Sequence, residues 1–311
     1  MEHGVTAFIN DSSVGIVEFA TTAEGLGFES IWLAEHDHLP VDTVHPWVEG
    51  GTPPDIYKRM PDPFTLLAAA AAVTEQLRLG TSVSLIAEHN PIYLAKQIAT
   101  LDFVSGGRVE VGVGYGWNKL EMVNNGIDPA RPRAAFREKL HALKLLWTEE
   151  TAAFSGEFVN FSESWSYPKP IQKPHPPVVL GAAFTPGARR DLVDDMDGWM
   201  PIRGMTSFDQ LAESLAVLRS ELAEAGRDPS TMTISLFELA GATLGKYSIA
   251  SFAEHLASEV MFDRYAAIGV DRFIHSVPVH DPDLFHATIE LVANRVGVAG
   301  AAGTLPRTFQ H

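Results

Sequence analysis

A single eight-stranded (β/α)8 TIM barrel is the fold class that the sequence predicts, and three observations predict it. Eight short runs rich in β-branched and aromatic residues recur along the chain, and each is followed by a stretch of helical period. With 311 residues, 46% of them hydrophobic, the chain is long enough for one such barrel with a full core. No apolar run reaches the roughly 18 residues needed to cross a bilayer, so the apolar segments belong to a core.

The strands are expected at residues 4–10, 30–34, 79–85, 109–115, 178–182, 198–202, 231–239 and 272–277. Nearly continuous apolar character suits a parallel sheet covered on both faces. Helices are expected at 14–26, 63–75, 91–104, 133–146, 187–195, 208–225 and 253–268, with 283–296 after the last strand. Gly27, Gly106, Gly226 and Gly269 stand where helices end, as left-handed exits require. A count of eight favours closure over an open, doubly wound sheet, so one domain over residues 1–311 is expected.

Three segments fall outside the repeat. Residues 39–62 carry Pro40, Pro46, Pro53, Pro54 and Pro61 with Trp47 and Tyr57, and they leave the C-terminal end of the second strand, where a lid over an active site would start. Residues 149–177 end in a proline-rich stretch that reads equally as a stiff surface connection or a binding segment. The Gly- and Ala-rich residues 297–311 read as a mobile tail or a subunit contact.

Composition narrows the chemistry. The absence of cysteine excludes disulfides, thiolate metal sites and a cysteine nucleophile. A formal charge of −16 opposes non-specific binding to nucleic acid or an anionic membrane. The Met1-Glu2-His3 start has no secretory character, so a cytoplasmic location is expected.

In a barrel, the side chains at the C-terminal strand ends converge. Those positions are Asn10 and Asp11; Glu35, His36 and His38; Val83 and Ser84; Gly114 to Trp117; Ala182 and Ala183; Arg203; Glu238; and His275 with Ser276. His36 and His38 are spaced like metal ligands on an extended segment. A metal hydrolase would need further ligands where the fourth and fifth strands instead end in Gly114-Tyr115-Gly116 and Gly181-Ala182-Ala183, so no metal is expected. The run from Gly112 to Trp117 lacks the third glycine and the acidic partner of a dinucleotide fingerprint. What it offers is main chain that something flat or phosphorylated can approach closely, which makes the mouth a slot for a flat cofactor. Asn10 and Asp11 read equally as caps for the helix that starts near Val14, and Trp32, Phe28 and Trp199 read as core.

Several stretches carry a family resemblance: Gly27 to Pro40 with Glu35-His36-Asp37-His38, Leu77 to Val83, Pro91 to Asp102, Ser105 to Asn118, and Gly198-Trp199-Met200-Pro201. Together they resemble the bacterial luciferase-like superfamily from the first strand to about Val277, and within it the branch that uses coenzyme F420. The resemblance implies a barrel that binds a deazaflavin at its mouth and exchanges hydride with a small organic substrate.

The same resemblance implies roles. His36 would handle a proton at the reactive ring edge and Glu35 would steady its loop or contact the ring. Ser82-Val83 would form a non-prolyl cis peptide against the back of the ring. Gly114, Tyr115 and Gly116 would offer backbone, while Gly181, Ala182, Ala183, Thr185, Gly187 and Arg189 would meet a phosphate at a helix N-terminus. Sugar-phosphate dehydrogenases of this branch place a carboxylate where this chain has Trp117, so neither that acid nor that substrate is carried over. Trp117, His38, His275 and Asn10 are the candidates on the substrate side, with Trp117 as an aromatic wall for an apolar or planar molecule. Asp37 is expected to face solvent. Two other readings stay open: an FMN-dependent monooxygenase on the same fold, and a deazaflavin carrier without catalysis. A homodimer is expected, as is common in the superfamily.

Overall fold

In the computed structural model, residues 1–46, 50–238 and 260–298 are described. Trp47 of the expected lid, Leu239 at the end of an expected strand, residues 253–259 of an expected helix and residues 299–311 of the expected tail lie outside them.

The barrel is closed. Its staves are β1 (Glu2–Thr6), β2 (Ser30–Leu33), β3 (Arg78–Thr81), β4 (Val109–Val113), β7 (Val178–Leu180), β8 (Gly198–Trp199) with β9 (Ile202–Arg203), β10 (Thr233–Glu238) and β11 (Arg272–Ser276). Neighbours pair in parallel in the order β11-β1-β2-β3-β4-β7-β8-β10, and β10 closes the ring on β11. Because β8 and β9 both pair with β10, they form a single sixth stave, and the count is eight.

Each expected strand is present, but most end earlier than expected. The run at 4–10 is paired only to Thr6, although Ala7, Phe8 and Ile9 remain buried in the loop above it. The run at 79–85 leaves the ladder after Thr81, where the Ser82-Val83 peptide is cis. Apolar residues at a barrel mouth are buried without being paired, so hydrophobicity overstates strand length there. Three helices begin where proline and a polar cap coincide: Asp62, Asn90 and Asp281 accept from the first turns of α2 (Pro63–Val73), α3 (Pro91–Ser105) and α9 (Pro282–Val296).

The insertion at 149–177 contains an antiparallel hairpin, β5 (Ala152–Ser155) and β6 (Asn160–Ser164), that the sequence reading lacks. Its strands are short and mostly exposed, which leaves no buried apolar run to find. The Glu138 carboxylate on α5 (Pro132–Thr148) accepts the N–H groups of Glu157, Phe158 and Val159 and so ties the hairpin turn to the barrel.

Trp32, Val179, Met200, Phe237 and Ile274 fill the barrel interior. A side chain at Gly80 would overlap the Trp32 indole, so glycine on the neighbouring strand makes the room that this ring occupies. Below the indole, the guanidinium of Arg272 lies 5.2 Å from the ring centre and bonds Glu110 at 2.7 and 2.9 Å and Glu29 at 2.8 Å. Arg78 completes this buried cluster through Glu110. Burial works against the Arg272 charge, but Glu110 and Glu29 outweigh it and hold the guanidinium above its ordinary range.

Candidate active site

His36 is held on the loop that leaves β2, and 8% of its surface is exposed. Its Nδ1 lies 2.7 Å from Glu121 Oε2, a carboxylate with no exposed surface, and its Nε2 accepts from Trp117 Nε1 at 3.2 Å. The indole N–H can only donate, so in this arrangement Nε2 carries the lone pair and Nδ1 carries the proton toward Glu121. His36 can therefore take a proton at Nε2 only when Trp117 releases it.

Glu121 is the functional candidate that the sequence reading missed. It sits on α4 (Lys119–Asn124), a short helix whose first turn is capped by Asn118 Oδ1 accepting from Leu120 N at 3.2 Å. The signal was there as Asn118-x-x-Glu121, the spacing of a capping box. Here the glutamate turns to His36 instead of to the cap. Asn118 also donates to Thr43 Oγ1 of the 39–62 connection at 3.1 Å, so one residue fixes the helix that carries Glu121 and the loop above it.

Glu35, also buried, faces the next strand end. Its Oε2 accepts from Ser84 Oγ at 2.9 Å and Leu85 N at 2.6 Å, while Oε1 lies 2.9 Å from His89 Nε2. With both oxygens engaged, this carboxylate fixes the segment that carries the cis Ser82-Val83 peptide implied by the resemblance. Val83 rises from that segment into a cradle of small residues: a Cβ at Gly114 or at Gly181 would come within 2.5 Å of its methyl groups. Ser82 Oγ is buried and meets no hydrogen-bond partner among the described residues. A convex apolar bulge, main chain stripped of side chains and a spare hydroxyl fit the back of a flat ring.

The 39–62 connection packs on the same histidine. Tyr57, on the 3-10 turn Asp55–Arg59, stands 5.6 Å from the His36 ring and 6.1 Å from Trp117, and His45 lies 4.8 Å from Trp117 and 4.9 Å from Tyr57. Burial pushes the Tyr57 hydroxyl up to about 12. Arg59 ties this connection to the first loop through Asp11 at 2.6 Å. Asp11 is thereby spent on that tie. Asn10 accepts from Ser12 N at 2.9 Å within its own turn, and the helix Ile16–Leu26 has no side-chain cap, so neither residue caps it.

Acidic groups gather behind His36. One atom each of Asp37, His38 and Glu121 lies within 4.8 Å of the others. His38 Nδ1 is 2.5 Å from Asp37 Oδ1, its Nε2 is 2.8 Å from Asn124 Nδ2, and Asn125 Nδ2 donates to both Asp37 Oδ2 and Glu88 Oε2 at 3.0 Å. Asp37, expected to do nothing but face solvent, is a junction of this network, although its side chain is 45% exposed. Burial pushes the Glu88 carboxyl up to about 7; the Asn125 bond opposes the shift, and the charges of Glu121 and Asp37 add to it.

Thr185, Gly187 and Arg189 frame the start of α6 (Pro186–Asp195), where the Thr185 side chain accepts from Ala188 N. A Cβ at Gly187 would come 3.1 Å from Arg133 Nε, so a guanidinium stands beside this helix start. Arg133 is bonded to Asp191, as is the Tyr115 hydroxyl at 2.6 Å. Tyr115 thus turns toward the helix layer and leaves only its backbone at the mouth, and Arg189 is paired with Glu221. Ala182 and Ala183 lie on the loop between β7 and this helix.

His275 is the clear misplacement. The sequence reading puts it at the mouth on the substrate side, but the structure buries it completely on the outer wall, 3.0 Å from His3 Nδ1 and edge-on to Phe262. Its neighbour Ile274 points into the barrel, and alternation along the strand sends His275 outward. Ser276, whose buried hydroxyl meets no hydrogen-bond partner among the described residues, takes the inward position.

A sequence model of the luciferase-like monooxygenase family matches residues 9–243. An uncharacterized protein of Mycobacterium tuberculosis is 38% identical over 299 residues, 95% of this chain and 99% of that protein. The F420-dependent glucose-6-phosphate dehydrogenase of Kineococcus radiotolerans is 31% identical over 219 residues, 68% of this chain and 59% of the relative. An FMNH(2)-dependent dimethylsulfone monooxygenase of Pseudomonas putida is 32% identical over 165 residues, 52% of this chain and 44% of the relative. No helix among the described residues is long and apolar enough to cross a membrane.

Proposed function

The chain belongs to the luciferase-like monooxygenase family, and from that premise we propose that it is a coenzyme F420-dependent oxidoreductase that moves a hydride between the deazaflavin and a small organic substrate. The observation that carries this reading is the buried His36–Glu121 pair at the barrel mouth, one strand end away from the Val83 bulge. Hydride transfer to or from an alcohol or carbonyl carbon needs a proton moved at the oxygen, and a histidine whose far nitrogen is fixed by a carboxylate is built for that task. The cofactor, when bound, would supply the hydride chemistry through its ring carbon.

The protein supplies the remainder. Val83 would press on the back of the ring, with Gly114 and Gly116 offering backbone beside it. The loop from Gly181 to Gly187, the start of α6 and Arg133 would hold the phosphate. Glu35 is a positioning residue, since its oxygens are taken up by Ser84, Leu85 and His89. His36 would exchange the substrate proton at Nε2 once Trp117 lets go, and Trp117, Tyr57 and His45 would form an aromatic wall that excludes water and favours apolar or planar substrates. The F420-dependent relative covers a larger share of this chain than the FMN-dependent one, which supports the deazaflavin reading over a monooxygenase.

Titration of the purified protein with oxidised F420 and with FMN, followed by fluorescence, tests this. Saturable binding of F420 that exceeds FMN binding by about ten-fold in affinity, roughly 1.4 kcal/mol, is expected. Tight FMN binding without F420 binding would overturn it in favour of the monooxygenase reading.

A further inference from the structure

Asp37, His38 and Glu121 come from two elements far apart in sequence: the loop after β2 carries the first two and α4 the third. One ring nitrogen or carboxylate oxygen of each lies within 4.8 Å of the others. Donors to a single divalent cation stand roughly 3–4 Å apart when each is about 2.1 Å from it. Small rotations of the Asp37 and His38 side chains, which are 45% and 38% exposed, would close the set. Exposed acidic groups gather on many protein surfaces without holding an ion, but Glu121 is not one of these. It has no exposed surface, its Oε2 is taken by His36, and the oxygen left to offer, Oε1, is buried and meets no hydrogen-bond partner among the described residues. An anionic oxygen withdrawn from water calls for a counter-charge, and no lysine or arginine among the described residues bonds Glu121 or Asp37. We propose that Asp37, His38 and Glu121 bind a divalent transition cation of the Zn²⁺ or Mn²⁺ kind, with water on its open side.

The donors select the ion. Two carboxylates and an imidazole suit Zn²⁺ or Mn²⁺, whereas Mg²⁺ and Ca²⁺ take oxygen alone, and the chain has no cysteine to compete for a softer metal. Support for the ligands is in place, since Asn125 Nδ2 donates to Asp37 Oδ2 at 3.0 Å and steadies that carboxylate from behind. His38 Nδ1 and Asp37 Oδ1, 2.5 Å apart, share a proton, and the cation takes that proton's place. The proton passes to His38 Nε2. Asn124, whose Nδ2 lies 2.8 Å from that nitrogen, turns its amide end for end and accepts with Oδ1, so the imidazole stays neutral and no proton is lost. The expectation of no metal came from the strand ends, and it could not weigh this set because Glu121 lies on a helix. A cation here would tie the loop after β2 to α4, the two elements that between them hold the His36–Glu121 pair.

Zinc chloride titrated calorimetrically into the chelator-stripped, cofactor-free chain tests this, with millimolar Mg²⁺ present to occupy the acidic surface. One saturable site per chain is expected. His38→Ala and Asp37→Asn should each weaken it by about 10²-fold, since groups that merely orient metal ligands are already worth about 10–100-fold. Glu121→Gln, which keeps the shape and removes the charge, should weaken it as much, and the two surface variants keep the test sound if that buried change does not fold. Mn²⁺ in place of Zn²⁺ should broaden the NMR signals of His36 and His38 before those of His141 and His286, which stand beside Asp195 and Glu18 elsewhere. None of these readings needs a cofactor, so their failure is distinct from failure of the F420 titration. The absence of a saturable Zn²⁺ site, a site that His38→Ala and Asp37→Asn leave unchanged, or earlier broadening at His141 or His286 would overturn the proposal.

Discussion

At the lower end of the barrel Arg272 and Arg78 meet Glu29 and Glu110, cation against anion, whereas at the mouth Asp37, Glu88 and Glu121 gather behind His36 and no arginine or lysine among the described residues bonds any of them. A guanidinium cannot give up its proton, so the lower cluster has one charge state and serves as structure. At the mouth the carboxylates are met by histidines and side-chain amides, and a histidine can change its charge. The two ends show that burying charge does not by itself mark a site; the kind of counter-charge does.

The sharpest way to break this comparison is at the lower end. Arg272→Ala would strand Glu110 and Glu29 with too little cation, and a loss of about 3–5 kcal/mol in denaturant-induced unfolding is expected. A loss under about 1 kcal/mol would mean that the lower cluster is as adaptable as the mouth. His36→Ala should do the reverse: a fall of about 10²–10⁴ in kcat with an identified substrate, cofactor affinity kept, and a loss of stability, from unpairing Glu121, smaller than that of Arg272→Ala. If its unfolding changes as much as that of Arg272→Ala, His36 belongs to the fold.

The smallest effect concerns Glu88. Its folded carboxyl titrates near 7 against an ordinary 4.5, so the folded state holds the proton more tightly than the unfolded chain. Its stabilising contribution is therefore complete below about pH 4.5 and is lost as pH rises to 7. Glu88→Gln should remove that decline and be about 2 kcal/mol more stable than the parent at pH 8, after allowance for partial exposure. Parallel pH–stability curves for the two proteins would show that Glu88 does not hold a proton in the fold.

The barrel was readable because parallel strands buried on both faces leave apolar runs, and β2 and β7 each show one. The hairpin β5–β6 was not, since its residues face water. His275 shows what a list of strand ends omits: parity along β11 places Arg272, Ile274 and Ser276 inside, so the histidine between them had to point out. His36 and Glu35 stand out in sequence because their types are rare at apolar strand ends. Glu121 does not, because it lies in a helix whose capping pattern supplies an ordinary reason for a glutamate.

The Trp32 indole, seated in the space left by Gly80 and stacked over Arg272, separates the two ends. Beneath the ring the guanidinium is matched by Glu110 and Glu29, so the lower cluster balances its own charge. Loops at the mouth can thus be exchanged, lengthened or recharged to suit a new substrate without renegotiating the charges that hold the barrel shut.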